Sequence, residues 1–168
     1  MKPNARRPFS PLYQVISDDV RIGIGSRISS FVNLYGCTIG SGTTIGSFVE
    51  IQSDVTVGDR CKIGSHTFIC SGVEIEDDVF IGHNVSFIND RHPSAVTDSG
   101  TPKGPEDWLF ERTVVRCGAS IGTGSTIMCG LTIGAGSVVG AGAVVTRDIP
   151  SGATFVGNPG REHKGGSQ

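Results

Sequence analysis

The sequence predicts a mainly-β chain wound as a parallel solenoid with three flat faces, and three periodic observations carry that reading. A large apolar residue falls on every sixth position: Ile39, Ile45, Ile51, Val57, Ile63, Ile69, Ile75, Ile81 and Phe87, then Val115, Ile121, Ile127, Ile133, Val139 and Val145. Four positions after most of these comes a smaller residue, as at Thr43, Val49, Val55, Cys61, Thr67, Val73, Val79, Val85, Ala119, Ser125, Ser137 and Ala143. Glycine often stands directly behind the large residue, as at Gly40, Gly46, Gly58, Gly64, Gly82, Gly122, Gly134 and Gly140. A helix repeats at 3.6 residues and a strand at 2, so neither alone gives a period of six. A short fixed repeat is the signature of a solenoid.

The elements follow in chain order. Residues 1–15 form an N-terminal segment whose start, Met1 to Arg7, is basic but is followed by no apolar stretch, so no signal peptide is expected. Ile16, Ile22, Ile28 and Leu34 open the repeat, with a one-residue slip before Ile39. The repeat domain spans 16–150. Four hexads before the slip, nine to Phe87 and six from Val115 make nineteen, which at three per turn is about six coils, or ~30 Å of strands stacked ~4.8 Å apart. The glycines are expected to supply positive φ at the bends. Between the two runs lies a long loop, 88–114, with Pro93, Pro102, Pro105 and the one tryptophan, Trp108. Loops of that length are functional or disordered, and Trp108-Leu109-Phe110 needs a surface to pack on. Pro150 is expected to end the stacking because proline cannot donate to a ladder. Residues 151–168 form a cap and tail, of which Gly165–Gln168 reads as disordered.

Composition narrows the function. Fourteen basic and sixteen acidic residues leave a formal net charge of −2, with no basic run for a nucleic acid and no apolar stretch long enough for a membrane. Five scattered cysteines make no CxxC pair, and Cys61 at an inward position reads as core filler. Such usage fits a reducing cytoplasm.

From Ile16 to Arg161 the chain resembles the hexapeptide-repeat acyltransferases. The likeness is carried by Ile127-Met128-Cys129-Gly130-Leu131-Thr132-Ile133-Gly134, by Gly140 through Pro150, and by Gly157-Asn158-Pro159. It implies a left-handed parallel β-helix, a homotrimer, and acetyl-CoA as co-substrate with no metal required. The stretch from Phe68 to Pro93, with Phe87-Ile88-Asn89-Asp90-Arg91-His92-Pro93 at its end, is similar to the branch that N-acetylates nucleotide-linked (UDP or dTDP) 3-amino sugars for bacterial surface polysaccharides. Ser94-Ala95 departs from the branch's Arg-Ala, and Asn158-Pro159-Gly160-Arg161 from its Asn-Pro-Ala-Arg.

Eighteen residues separate His66 from Asn84 and Ser65 from His83, so each pair belongs to one column on adjacent coils. His83 can serve as a base, although an exposed histidine on a hexad needs no function. Asn89 and Asp90 either cap the loop, as Asn-Asp pairs ordinarily do, or hold an incoming amine, as the resemblance implies. The catalytic set is therefore His83, Asn84, Asn89 and Asp90. His66, Arg91 (toward a sugar carboxylate) and Trp108 are expected at the acceptor. Thr123 and Ala141 line a pantetheine groove, with Arg147 and Arg161 near the CoA phosphates; together with Lys164 these arginines gather positive charge at that end, either for solubility and capping or as an anion site. The competing readings are O-acetylation of a small hydroxylated acceptor, which needs a histidine base, and a non-catalytic or metal-binding β-helix. For the latter, His66, His83 and His92 lack a ligand pattern.

Overall fold

A computed structural model describes residues 12–104 and 106–163. The basic start Met1–Arg7, Pro105, Lys164 and the tail Gly165–Gln168 lie outside the described residues. Every strand is two or three residues long, because each must end where the chain turns a corner. Face 1 stacks Val15–Ile16, Asn33–Leu34, Glu50–Ile51, Phe68–Ile69, Ser86–Phe87, Thr126–Ile127 and Val144–Val145. Face 2 stacks Arg21–Ile22, Thr38–Ile39, Thr56–Val57, Val73–Ile75, Thr113–Val115 and Thr132–Ile133, with Ile149 bridging to Ile133 beyond them. Face 3 stacks Arg27–Ile28, Thr44–Ile45, Lys62–Ile63, Phe80–Ile81, Ser120–Ile121, Val138–Val139 and Thr154–Val156, closed by the antiparallel Arg161–Glu162. All other strand pairings between coils are parallel, the insertion carrying one antiparallel bridge between Val96 and Pro102, and the chain visits faces 1, 2 and 3 in turn.

Each face thus carries seven levels, one more than the sequence predicts. The extra coil comes from Ile149 and Phe155, which lie 16 residues beyond their partners Ile133 and Val139 instead of 18 and so fall off the hexad count. Stacking does not stop at Pro150. That proline occupies a corner, where its carbonyl accepts from Ala153 N–H at 3.1 Å and no donor is asked of it. The slip before Ile39 appears as a register of 17 in the pairs Ile22–Ile39 and Ile28–Ile45. The interruption appears as a register of 40 where neighbouring coils step by 18, an insertion of 22 residues. Thr113 and Val114 already belong to face 2, so the irregular part of the loop is 88–112.

Both inward positions of the hexad meet in one continuous core. From Leu34 onward every predicted large residue is at most 3% exposed. The smaller column from Thr43 to Ala143 is equally covered, Cys61 included. The first coil is the exception, Ile16 and Ile28 being half-buried and Ile22 41% exposed, because that coil has a neighbour on one side only among the described residues. Each fully buried isoleucine contributes on the order of 1.5–3 kcal/mol by leaving water.

The glycines behind the large residues do a different job from the one expected. None of Gly40, Gly46, Gly58, Gly64, Gly82, Gly122, Gly134 or Gly140 has a positive φ. They are needed because successive coils nearly touch there: a Cβ on Gly46 would lie 2.6 Å from Ser65 N, and one on Gly82 would lie 2.6 Å from Thr123 N. The left-handed residues stand two positions further on and are often not glycine, as at Phe48, Asp54, Arg60, His66, Asp78 and Asn84.

Ile63→Asp or Ile133→Asp would bury an unpaired charge and is expected to leave no cooperative unfolding transition by circular dichroism. Gly82→Asn should be strongly destabilising, since backbone atoms fill the space of its Cβ. Gly118→Asn should cost less than ~1 kcal/mol, because Gly118 has φ +68 with open space around it and Asn tolerates that conformation. Urea midpoints of the two variants check the order.

Candidate functional site

Three edges join the faces, and their chemistry differs. The edge from face 3 to face 1 carries a column of aromatic rings at the left-handed corner. Tyr13 stacks on Phe31 at 5.3 Å between ring centroids, Phe31 on Phe48 at 5.0 Å, and Phe48 on His66 at 4.7 Å. Asn84 takes the next step of the same column, its N–H donating to Ser65 O at 2.9 Å, and it shares positive φ with His66. The predicted stacking of His66 and Asn84 is therefore present.

One residue before each left-handed corner runs a second column, Ser65, His83, Thr123 and Ala141. Ser65 N–H donates to His83 Nδ1 at 2.9 Å, and His83 N–H donates to Thr123 Oγ1 at 3.3 Å. Gly142 N–H donates to Thr123 O at 2.9 Å, which sets Thr123 and Ala141 on consecutive coils as the spacing predicts. Both are exposed, so a chain lying along this edge would meet small side chains and backbone. The His83 ring also lines a cavity of about 220 Å³ on face 3 with Thr44, Lys62 and Phe80. Its lining includes no carboxylate.

Asn89 and Asp90 lie elsewhere. Face 1 separates them from His83 and Asn84, since the strand Ser86–Phe87 stands between the two pairs. The four residues proposed as one catalytic set thus occupy two edges of the prism and share no cavity within one chain. Asp90 Oδ1 accepts from His92 N–H at 2.9 Å, the capping bond that the pair ordinarily makes. Asp90 also lines a cavity of about 370 Å³ beneath the insertion, with Arg91, His92, Lys103, Asp107, Trp108, Leu109 and Glu111.

Arg91 does not stand open to a substrate carboxylate. Its guanidinium forks onto Glu111 at 3.0 and 2.9 Å and donates to Cys129 O at 2.8 Å, pinning both ends of the insertion to the next coil of the chain. This ion pair holds the Glu111 carboxyl below its ordinary range. Sequence reasoning missed Glu111 because it lies 20 residues from Arg91, across an aperiodic stretch. The aromatic cluster does find its surface. Phe110 lies over Gly72, where a Cβ would overlap the ring, and Trp108 meets Phe110 edge-on at 5.8 Å. Arg112 covers the ring at 5.6 Å and pairs with Asp54 at 2.7 Å. Leu109 remains 77% exposed.

The last coil holds the remaining residues. Arg147 is exposed at the edge from face 1 to face 2, and Arg161 sits in the closing strand with Nη1 donating to Gly160 O at 2.9 Å. Also missed were Lys62 and Phe80 beside His83, which the hexad pattern marks only as outward. Spacings of 18, 17 and 18 from Tyr13 to His66 would have revealed the ring column. Among the described residues no group of three or more His, Cys, Asp or Glu side chains could hold a metal ion, and no helix is long and apolar enough to cross a membrane.

The comparisons agree with this architecture. The profile described as bacterial transferase hexapeptide (six repeats) matches residues 36–71, and that of the hexapeptide repeat of succinyl-transferase matches 115–147. No curated protein matches the sequence. Among solved structures, a variant of the N-acyltransferase AntD from Bacillus cereus, in complex with dTDP-4-amino-4,6-dideoxyglucose and coenzyme A, is 24% identical; the match covers 88% of this chain and 84% of that one at a TM-score of 0.75. A hexapeptide-repeat-containing acetyltransferase from Vibrio cholerae, complexed with acetyl coenzyme A, is 25% identical over 77% of this chain and 70% of that one, with a TM-score of 0.66. A mutant perosamine N-acetyltransferase from Caulobacter crescentus, with CoA and GDP-perosamine, is 22% identical over 90% of this chain and 58% of that one, with a TM-score of 0.60. At these identities the likeness is one of fold.

The insertion's anchor has a measurable consequence. Because the Glu111 carboxyl is held below 4.5 by the Arg91 fork, its stabilisation is fully present above that value and is lost as pH falls through the lower folded one. Trp108 is the one tryptophan and lines the same cavity, so its emission should change in an acid transition below pH 4.5. Glu111→Gln should already show the altered emission at neutral pH, with that transition gone.

Proposed function

We propose that this chain, a hexapeptide-repeat transferase by fold and by repeat, moves an acetyl group from acetyl-CoA to the amine of a UDP- or dTDP-linked amino sugar. The observation that carries the reading is the column Thr123–Ala141, small and exposed, which runs along one edge and ends at His83. Pantetheine fits such a column because it is a narrow chain with amides that need backbone partners. That the matched solved structures hold CoA with a nucleotide-linked amino sugar supports the same reading.

In this reading the site is completed between subunits. A homotrimer would set the edge bearing His83, Asn84 and His66 of one copy against the edge bearing Asn89, Asp90 and Trp108 of the next. The amine attacks the thioester carbonyl carbon, a C–N bond forms, the C–S bond breaks, and the departing thiolate takes the amine's proton. No covalent acyl-enzyme is needed. Cys37 and Cys70 suit that route, since burial pushes the Cys37 thiol up to about 11 and the Cys70 thiol up to about 12, leaving almost no thiolate on either at neutral pH. The amine binds neutral, having left its first proton to water, and Asp90 positions it by accepting a hydrogen bond instead of deprotonating it, since a neighbouring carboxylate favours the protonated amine and makes a poor base toward it. Arg147 and Arg161 meet CoA phosphates. Within a cell the product would feed surface polysaccharide assembly from the cytoplasm.

Thiol release from acetyl-CoA across a panel of UDP- and dTDP-amino sugars tests the activity; no release with any member would sink it. Asp90→Ala and Asn89→Ala should each lower kcat roughly 10- to 100-fold, since misplacing a nucleophile by an ångström is costly. Changing Arg147 and Arg161 together to alanine should raise the KM for acetyl-CoA well above any effect on the sugar. Light scattering of the active protein should give three times the chain mass, and a fully active monomer would rule out the shared site.

A further inference from the structure

We infer that His83 serves as a fixed hydrogen-bond donor to the acyl carbonyl oxygen, and not as the base that deprotonates the acceptor. The inference rests on the acyl-transfer reading above, but its geometric half stands alone. Ser65 N–H lies 2.9 Å from His83 Nδ1. A backbone amide has only a proton to give, so Nδ1 must present its lone pair. The neutral ring then carries its one proton on Nε2.

That lone pair is committed to the fold. Where successive coils turn, the side chain of one coil takes up the amide of the coil before it. Asp59 accepts from Ser41 N–H at 2.7 Å, Asp77 from Asp59 N–H at 2.8 Å, and Thr123 from His83 N–H at 3.3 Å. His83 does this work on its own coil with Nδ1. Protonating Nδ1 would point two donors at each other and cost the Ser65 amide its partner. The cavity that its ring lines holds Lys62, Phe80 and Thr44 and no carboxylate. A ring so placed presents Nε2–H as its outward donor.

A donor is useful where negative charge develops. Thr123 accepts from the His83 backbone amide and begins the column proposed for pantetheine, so a thioester carried past Thr123 would reach the coil that bears the His83 ring. As the amine adds, the carbonyl oxygen gains the charge that Nε2–H stabilises. Collapse returns the electron pair to the carbonyl and expels the thiolate, which takes the proton released by nitrogen. His83 ends each cycle in the tautomer in which it began.

Two substitutions separate the roles of the two ring nitrogens. Asparagine can place its Oδ1 where Nδ1 was, keeping the Ser65 bond without a donor at the outer position. Glutamine can place its Nε2 where the outer nitrogen was, with no capacity as a base. His83→Gln should keep kcat within about 10-fold of wild type despite a lower Tm. His83→Asn and His83→Ala should fall by about 10²–10³, the loss expected for one oxyanion donor, with the KM for acetyl-CoA little changed. If His83→Gln is as inactive as His83→Ala, the donor role is overturned. Nitrogen-15 NMR of the His83 ring in the free protein is independent of any acceptor sugar. It should show a proton on Nε2 and none on Nδ1, and the Nε2–H signal should shift when acetyl-CoA alone is added. A proton on Nδ1, or no shift with acetyl-CoA, overturns the inference even if the sugar assay succeeds. A failed sugar assay with the expected NMR result overturns only the choice of acceptor.

Discussion

The structure depends on one constraint: each coil must lie directly on the one before it, close enough for backbone amides to bond along the axis. Gly64 N–H to Ile81 O and Gly82 N–H to Ile121 O are both 2.8 Å, and the ladder repeats at nearly every level. Short strands of two residues have little stability of their own, so each is held by the strands above and below and by the core they share. At the glycine corners the coils come so near that no side chain fits between them. Any change in residue spacing must therefore be absorbed at an edge, where a turn can lose one residue, as before Ile39, or gain 22, as after Phe87.

That division assigns separate tasks to separate parts of the repeat. The large inward residues are nearly interchangeable apolar fillers and supply stability, while Thr43, Thr67 and Ser125 in the smaller column bond backbone carbonyls. The edges repeat a position without repeating a residue, so each can acquire its own chemistry. Between faces 2 and 3, Arg60 forks onto Asp78 at 2.7 and 2.8 Å beside Asp77, and the pair holds the Asp78 carboxyl below its usual range. This exposed cluster tidies a corner and contributes little stability. Between faces 3 and 1 the rungs turn from aromatic to imidazole and amide, then to threonine and alanine. The chemistry of that edge changes along the axis, which is what an elongated two-part ligand requires.

Much of this was legible in the sequence because a period of six has few structural solutions. The inward columns, the slip and the site of the insertion all follow from counting. What counting missed depends on contacts between coils. The glycines behind Ile45 and Ile81 look like turn residues, yet their role is to let Ser65 and Thr123 approach. The left-handed corner is held by Phe48, His66 and Asn84, types that no turn rule would single out together. His83 and Asp90 are seven residues apart and read as neighbours, but a face of the prism lies between them. Arg91 looked available because its partner Glu111 sits beyond a stretch with no period to count.

The position of the insertion ties these parts together. His83 and Asn84 form the corner that leads into the strand Ser86–Phe87, and the insertion leaves the chain directly after that strand. One face separates them, but no coil does, so both lie at one height along the axis. For copies arranged by rotation about an axis parallel to the coils, equal height is the condition under which one copy's insertion meets the next copy's His83. An insertion one coil earlier or later would miss it by ~4.8 Å, more than a hydrogen bond can span. The Arg91–Glu111 fork and the Phe110–Gly72 contact fix the insertion at that height. Arg91 would then serve acceptor binding through where it holds Asp90 and Trp108, without touching the acceptor itself.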